Sequence, residues 1–173
     1  QFGGTDLVTG FVSSVPYIFG IVGLLIVPRS SDRLNDRYGH LAVLYVLGAI
    51  GLFLSAWLIF PVLQLMALCL VAFALFSCTA IFWTLPGRFF AGASAAAGIA
   101  LINSVGNLGG YIGPFVIGAL KEYTGNLASG LYFLSGVMVF GLVLTGVVYR
   151  LLERKHVLPS DQFAASARGA TRT

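Results

Sequence analysis

The sequence predicts an all-α, membrane-embedded fold of five transmembrane helices, and three observations carry that prediction. Apolar residues make up 58% of the 173-residue chain, charged residues only 9%, and the mean hydropathy is +0.93. A soluble domain of this size needs a charged coat that this chain does not have. The few charges are also clustered. None lies between Asp6 and Arg29, between His40 and Arg88, from Phe89 to Leu120, or from Tyr123 to Tyr149. A helix needs about 20 apolar residues to cross a bilayer, so these gaps hold one, two, one and one crossings. Lastly, the positive charges sort to one side of the spans so defined.

The first span covers roughly residues 7–27, with Pro16 inside it as a kink that neighbouring helices can tolerate. Residues 29–40 read as a charged loop. The second span covers about 41–59, and Phe60-Pro61 marks a turn. The third covers about 63–85 and ends at Pro86-Gly87-Arg88. The fourth covers about 93–120, followed by a polar turn over 121–126, and the fifth covers about 131–151. Residues 1–152 thus form the transmembrane bundle. Residues 153–173 are polar, small and basic, which predicts a solvated, disordered tail.

Counted by side, Arg29, Arg33, Arg37, Arg88, Arg150, Arg154, Lys155, Arg168 and Arg172 fall together, against Lys121 alone. The first side is expected to be cytoplasmic, which places the C-terminus inside and the start of the chain outside. A bacterial inner membrane is the expected location. An odd number of spans, and a start at Gln1 without an initiator Met, predict that an upstream part is missing. The basic residues sit between apolar stretches and the aromatics lie inside spans, so nucleic-acid binding is rejected. Cys69 and Cys78 fall on one helix, about 13 Å apart by rise, too far to bridge; both are expected as free thiols.

The loop Arg29-Ser30-Ser31-Asp32-Arg33-Leu34-Asn35-Asp36-Arg37-Tyr38-Gly39-His40 carries a specific order of signs. An aspartate here can cap a neighbouring helix, and the arginines can pair with carboxylates on another helix. Such a cluster can form in one conformation and break in another, as a gate requires. Solvated aspartates balancing positive-inside arginines are the competing reading.

This loop resembles the signature of the major facilitator superfamily, Gly-x-x-x-Asp-Arg-x-Gly-Arg-Arg. Asp32, Arg33 and Arg37 match it; Pro28, Asn35 and Asp36 depart from it. Asp36 and His40 are similar to the anion:cation symporter family within that superfamily. Phe82-Trp83-Thr84-Leu85-Pro86 and the run from Ala95 through Asn103-Ser104-Val105-Gly106-Asn107-Leu108-Gly109-Gly110-Tyr111-Ile112-Gly113-Pro114 resemble the tenth and eleventh helices of such symporters. The resemblance implies that the five spans are helices eight to twelve of a twelve-helix transporter and part of its C-terminal six-helix bundle. It also implies uptake of small organic anions, of the tartrate, phthalate or hydroxyphenylacetate type, by proton symport. The expected partners are a carboxylate substrate, a proton, membrane lipid and the absent N-terminal helical half.

Asn103 and Asn107 lie one helical turn apart near mid-membrane, where an amide facing lipid is costly. Both should face protein or a watery cavity. Gly106/Gly110 and Gly109/Gly113 are spaced for close helix approach, and Pro114 can bend the helix. Helix–helix bonding and substrate contact stay open for Asn107. For Asn103 substrate contact is favoured, and the resemblance implies that its amide bonds substrate oxygens. Trp83 reads by position as an interfacial-belt residue, but the resemblance implies a cavity wall. Ser14 and Tyr17 flank Pro16 and offer hydroxyls to a cavity, with bonding to their own helix as the alternative. Ser77 and Thr79 carry the same ambiguity.

No Asp, Glu, Lys or Arg lies within a span, although a proton-coupled anion transporter usually needs an intramembrane carboxylate and a cation; the resemblance implies that both lie in the N-terminal half. Neither a cofactor nor a metal is expected, and the chain does not read as an enzyme. Gly92-Ala93-Ser94-Ala95 resembles the Gly-x-Ser motif of rhomboid intramembrane proteases, but His40 and His156 lie at membrane edges, away from Ser94. A truncated, non-functional remnant and a superfamily transporter for another solute are the remaining alternatives.

Overall fold

The computed structural model describes residues 6–86 and 93–154, and five helices account for nearly all of them. These are α1 (Asp6–Leu34), α2 (Arg37–Trp57), α3 (Pro61–Phe82), α4 (Ala93–Thr124) and α5 (Ala128–Arg154). All five are long and apolar enough to cross a membrane. The shortest, α2, would reach about 31 Å, close to the hydrocarbon thickness of a bilayer. Gly87 and Arg88 of the expected turn, His156, and the tail beyond Arg154 lie outside the described residues.

The helices outrun the apolar spans. α1 continues through Pro28 and the arginines to Leu34, so the expected loop over 29–40 shrinks to Asn35 and Asp36. Polarity marks where a helix leaves the lipid, but not where its backbone ladder stops. The stop here is conformational. Asn35 takes a left-handed backbone, φ 50°, which asparagine tolerates better than most residues. Asp36 is extended, and its carboxylate accepts the Gly39 N–H at 2.8 Å, capping α2.

The other connections follow the same logic. α4 runs through Lys121 to Thr124 before Gly125 turns the chain at φ 69°. The Gly125 N–H bonds the Lys121 carbonyl at 2.9 Å. The Asn126 side-chain oxygen then accepts the Ala128 N–H at 2.9 Å, which starts α5. Pro61 opens α3 at a position whose N–H has no helical partner in any case. The Gln64 amide reaches back to the Leu58 carbonyl at 2.7 Å and holds the α2–α3 corner. α5 extends past the fifth apolar span to Arg154.

Packing runs in the order α1, α3, α2, α5, α4. Glycines let two of these pairs close. A Cβ on Gly23 would lie 2.5 Å from the Ser77 hydroxyl and 2.7 Å from the Phe73 carbonyl, and one on Gly51 would lie 2.7 Å from Val71. α1 and α2 therefore approach α3 nearly backbone to backbone. Leu41, Leu44, Ala74 and Ile81 form the buried centre. The Ser135 hydroxyl of α5 donates to the Ala49 carbonyl of α2 at 2.9 Å. Most other large apolar side chains are exposed, including Phe11, Leu101, Phe115 and Phe140. Such a surface needs lipid or further protein against it. α1 and α4 stand at the two ends of the packing series, with no substantial packing between them.

Candidate functional site

Two regions hold the chemistry-bearing residues. At one end of the bundle, the C-terminus of α1, the N-terminus of α2 and the turn after α3 converge. The Arg37 guanidinium pairs with Asp32 at 2.9 Å and donates to the Thr84 carbonyl at 3.3 Å. One side chain thus ties α1, α2 and the end of α3 together. The Ser31 hydroxyl donates to the Asp36 carbonyl at 3.2 Å, and Ser31 is buried. His40 adds a second tie. Its Nδ1 meets the Asp36 carbonyl, which fixes a proton on that nitrogen. Its Nε2, 3.3 Å from the Ser30 hydroxyl, is then free to accept from it in the neutral ring.

The sequence offered Asp32, Arg33 and Arg37 as one cluster. The structure brings Asp32 and Arg37 together and leaves Arg33 outside. Asp36, not Asp32, caps α2. The Arg37 side chain is 16% exposed and that of Asp32 60%. A pair this open to solvent contributes about 1 kcal/mol or less, so opening it costs little.

The second region is mid-bundle. Asn103 and Asn107 lie well inside α4, both exposed, with no hydrogen-bond partner among the described residues. A Cβ on Gly106, Gly109, Gly110 or Gly113 would meet nothing within 4 Å. α4 packs chiefly on α5, and α3 on α1 and α2, so the described contacts do not bring Asn103 and Trp83 together. Trp83 caps the end of α3, 42% exposed, with its ring edge-on to Phe82 at 5.6 Å.

Tyr17 and Ser14 part company. The Ser14 hydroxyl donates to the Gly10 carbonyl of its own helix at 2.9 Å. Ser77 and Thr79 do the same, to Phe73 at 2.7 Å and Leu75 at 2.8 Å. Tyr17 instead lines an open cavity of about 500 Å³ between α1 and α3, edge-on to Phe76 at 6.2 Å. Gln64 and Ser13 share this cavity. Sequence reasoning missed Gln64, which stands at the start of the third span with its amide bonded to the Leu58 carbonyl, so the mid-membrane argument that singled out Asn103 does not reach it. Among the described residues no group of His, Cys, Asp and Glu could hold a metal. Cys69 and Cys78 are free thiols.

No family model and no solved structure matches the chain. Curated relatives do. It is 74% identical over 156 residues to a quinolone resistance transporter of Acinetobacter baumannii, covering 90% of this chain and 36% of the relative. It is 39% identical over 150 residues to a protein of Agrobacterium vitis named "putative tartrate transporter", covering 87% and 33%. The inner membrane transport protein RhmT of Escherichia coli is 30% identical over 150 residues, covering 87% and 34%. The chain spans about a third of the length of these relatives. The relatives are named as transport proteins, which points away from an enzyme. With five bilayer-length helices, the chain is that of a multi-pass membrane protein, and over most of its length it is similar to about a third of each of these transport proteins.

Proposed function

We propose that the chain is the C-terminal part, helices eight to twelve, of a twelve-helix major facilitator transporter of the anion:cation symporter type. In this reading the whole protein takes up a small organic anion with protons by alternating access, in a bacterial inner membrane with its C-terminus in the cytoplasm. The observation that carries it is the pair of amides, Asn103 and Asn107, without a partner among the described residues on the glycine-lined helix α4. A polar group inside a spanning helix marks a substrate path more often than a lipid face. An amide N–H can donate to a carboxylate without adding a charge to the membrane. The open faces of α1 and α4 support the reading, because a sixth helix could close the bundle between them. Trp83 and Tyr17 would add apolar and hydroxyl walls. Ser14, bonded to its own helix, would at most shape the wall.

Asp32 and Arg37 would stabilise one state of the gate and Arg33 would serve elsewhere at the same end. Asp32→Asn keeps a hydrogen-bond acceptor for Arg37 but removes the charge attraction. In reconstituted full-length protein this change should slow turnover several-fold while leaving substrate affinity within about twofold. Unchanged turnover would remove the ion pair from the gate.

A second reading is favoured by the relative named for quinolone resistance, which is 74% identical. Quinolone antibacterials are aromatic carboxylic acids, so they share the carboxylate with tartrate. This reading keeps the ligand chemistry and reverses the direction to export. Proteoliposomes separate the two. Uptake of a radiolabelled hydroxy-dicarboxylate driven by a proton gradient supports symport of small anions. Movement of a labelled quinolone opposite to the proton flow, with no dicarboxylate uptake, supports export.

A further inference from the structure

Arg29 and Arg33 stand one turn apart on α1, on a face that the gate cluster does not use. With Ser30 between them and Ile26 and Leu34 at either end, they line a surface cavity of about 390 Å³. The carboxylate nearest in sequence, Asp32, is committed to Arg37. Arg29 spends one N–H on the Leu25 carbonyl of its own helix. Arg33 has no partner among the described residues. Two guanidinium groups are thus left without a carboxylate among the described residues, where α1 passes from apolar to charged sequence. Ile26 and Leu34 are 58% and 69% exposed, so apolar surface borders the charges on both sides.

We infer that this cavity holds the head group of an anionic phospholipid from the adjoining leaflet. The inference rests on the membrane placement of α1 and not on the transport reading. Guanidinium groups bind phosphate oxygens in paired, planar hydrogen bonds. Two of them one turn apart, about 6 Å at Cβ, can grip one phosphate from both sides. The Ser30 hydroxyl lines the cavity between them but is already bonded to His40, so the two arginines carry the recognition. The bordering Ile26 and Leu34 would contact the glycerol and the first acyl carbons, which a free ion lacks. Basic pockets at the ends of membrane helices recognise anionic head groups by the same chemistry.

The test is binding of fluorescent phosphatidylglycerol to the whole protein in a neutral detergent, with fluorescent phosphatidylcholine as reference. Phosphatidylglycerol should bind at least tenfold more tightly. Arg29→Gln with Arg33→Gln should bring it down to the phosphatidylcholine level. Arg29→Lys with Arg33→Lys, which keeps the charges but not the paired planar hydrogen bonds, should retain only part of the preference, and Lys121→Gln, at the opposite end, all of it. Helical circular dichroism checks the fold of each variant. Equal binding of the two lipids would overturn the site, as would a preference that survives the double glutamine change. Displacement of the lipid by millimolar inorganic phosphate would also overturn it, in favour of a small-anion site.

Discussion

Asn103→Ala in the full-length protein should weaken substrate binding by about tenfold to a hundredfold. A hydrogen bond to a charged group contributes about 1.5–3 kcal/mol, and each 1.4 kcal/mol is a factor of ten in affinity. The structure gives the amide no competing partner among the described residues, so the whole of that bond is available to a ligand. The side chain is also exposed, so its removal leaves no cavity in the packed interior of this chain. Stability should therefore hold while affinity falls, which isothermal calorimetry and thermal unfolding can read on one sample. Asn107→Ala should give a smaller loss if the second amide bonds a neighbouring helix instead. Binding unchanged in Asn103→Ala would remove it from the substrate path.

Gly23→Ala should destabilise the bundle by about 1–3 kcal/mol, the usual cost of forcing an added methyl into a packed interface. The new Cβ would lie 2.7 Å from the Phe73 carbonyl, a backbone atom that no rotamer change can move. It would also lie 2.5 Å from the Ser77 hydroxyl, which is itself held by that carbonyl. α1 must back away from α3, and the cavity that contains Tyr17 and Gln64 is built from these two helices. Gly146→Ala is the matched control. It adds the same methyl on α5, where nothing lies within 4 Å, so stability should hold or rise slightly through better helix propensity. Unfolding in a denaturing-detergent titration should separate the two. Equal stability of both variants would mean that the α1–α3 contact is not what holds α1.

Much of this architecture is legible in composition. A bilayer forces each crossing to be a helix of fixed length, so gaps between charges are enough to find the spans. The helix ends were less legible, because polarity reports the edge of the lipid rather than the end of the hydrogen-bond ladder. Pro28, Arg29 and Arg33 looked like a loop and are helix; Asn35 and Gly125, through their left-handed backbones, are the actual stops. The gate cluster was half legible. Residue order pointed to Asp32, Arg33 and Arg37 together, but only Asp32 and Arg37 meet, because which side chain reaches α2 depends on the face that α1 turns to it. That is a matter of packing and not of spacing.

Single-residue roles divided the same way. Asn103 and Asn107 stand out in sequence because an amide deep in the membrane is expensive; Gln64, at the start of its span, does not. Ser14, Ser77 and Thr79 could not be resolved from sequence, since a hydroxyl can always turn to its own helix. The structure resolves them in that direction. The tie from His40 to Ser30 needed three-dimensional information, because Ser30 lies on α1 and His40 on α2.

The most direct test of the central proposal is solute movement in proteoliposomes containing the full-length protein, under an imposed pH gradient. A panel of labelled tartrate, phthalate and an aromatic carboxylic acid would be compared with their neutral methyl esters. The proposal predicts that at least one free acid accumulates with the proton flow and that its ester does not. Accumulation should fall at least tenfold in Asn103→Ala at subsaturating substrate. Movement of the esters as fast as the acids, or no accumulation of any acid with the proton flow, would contradict it.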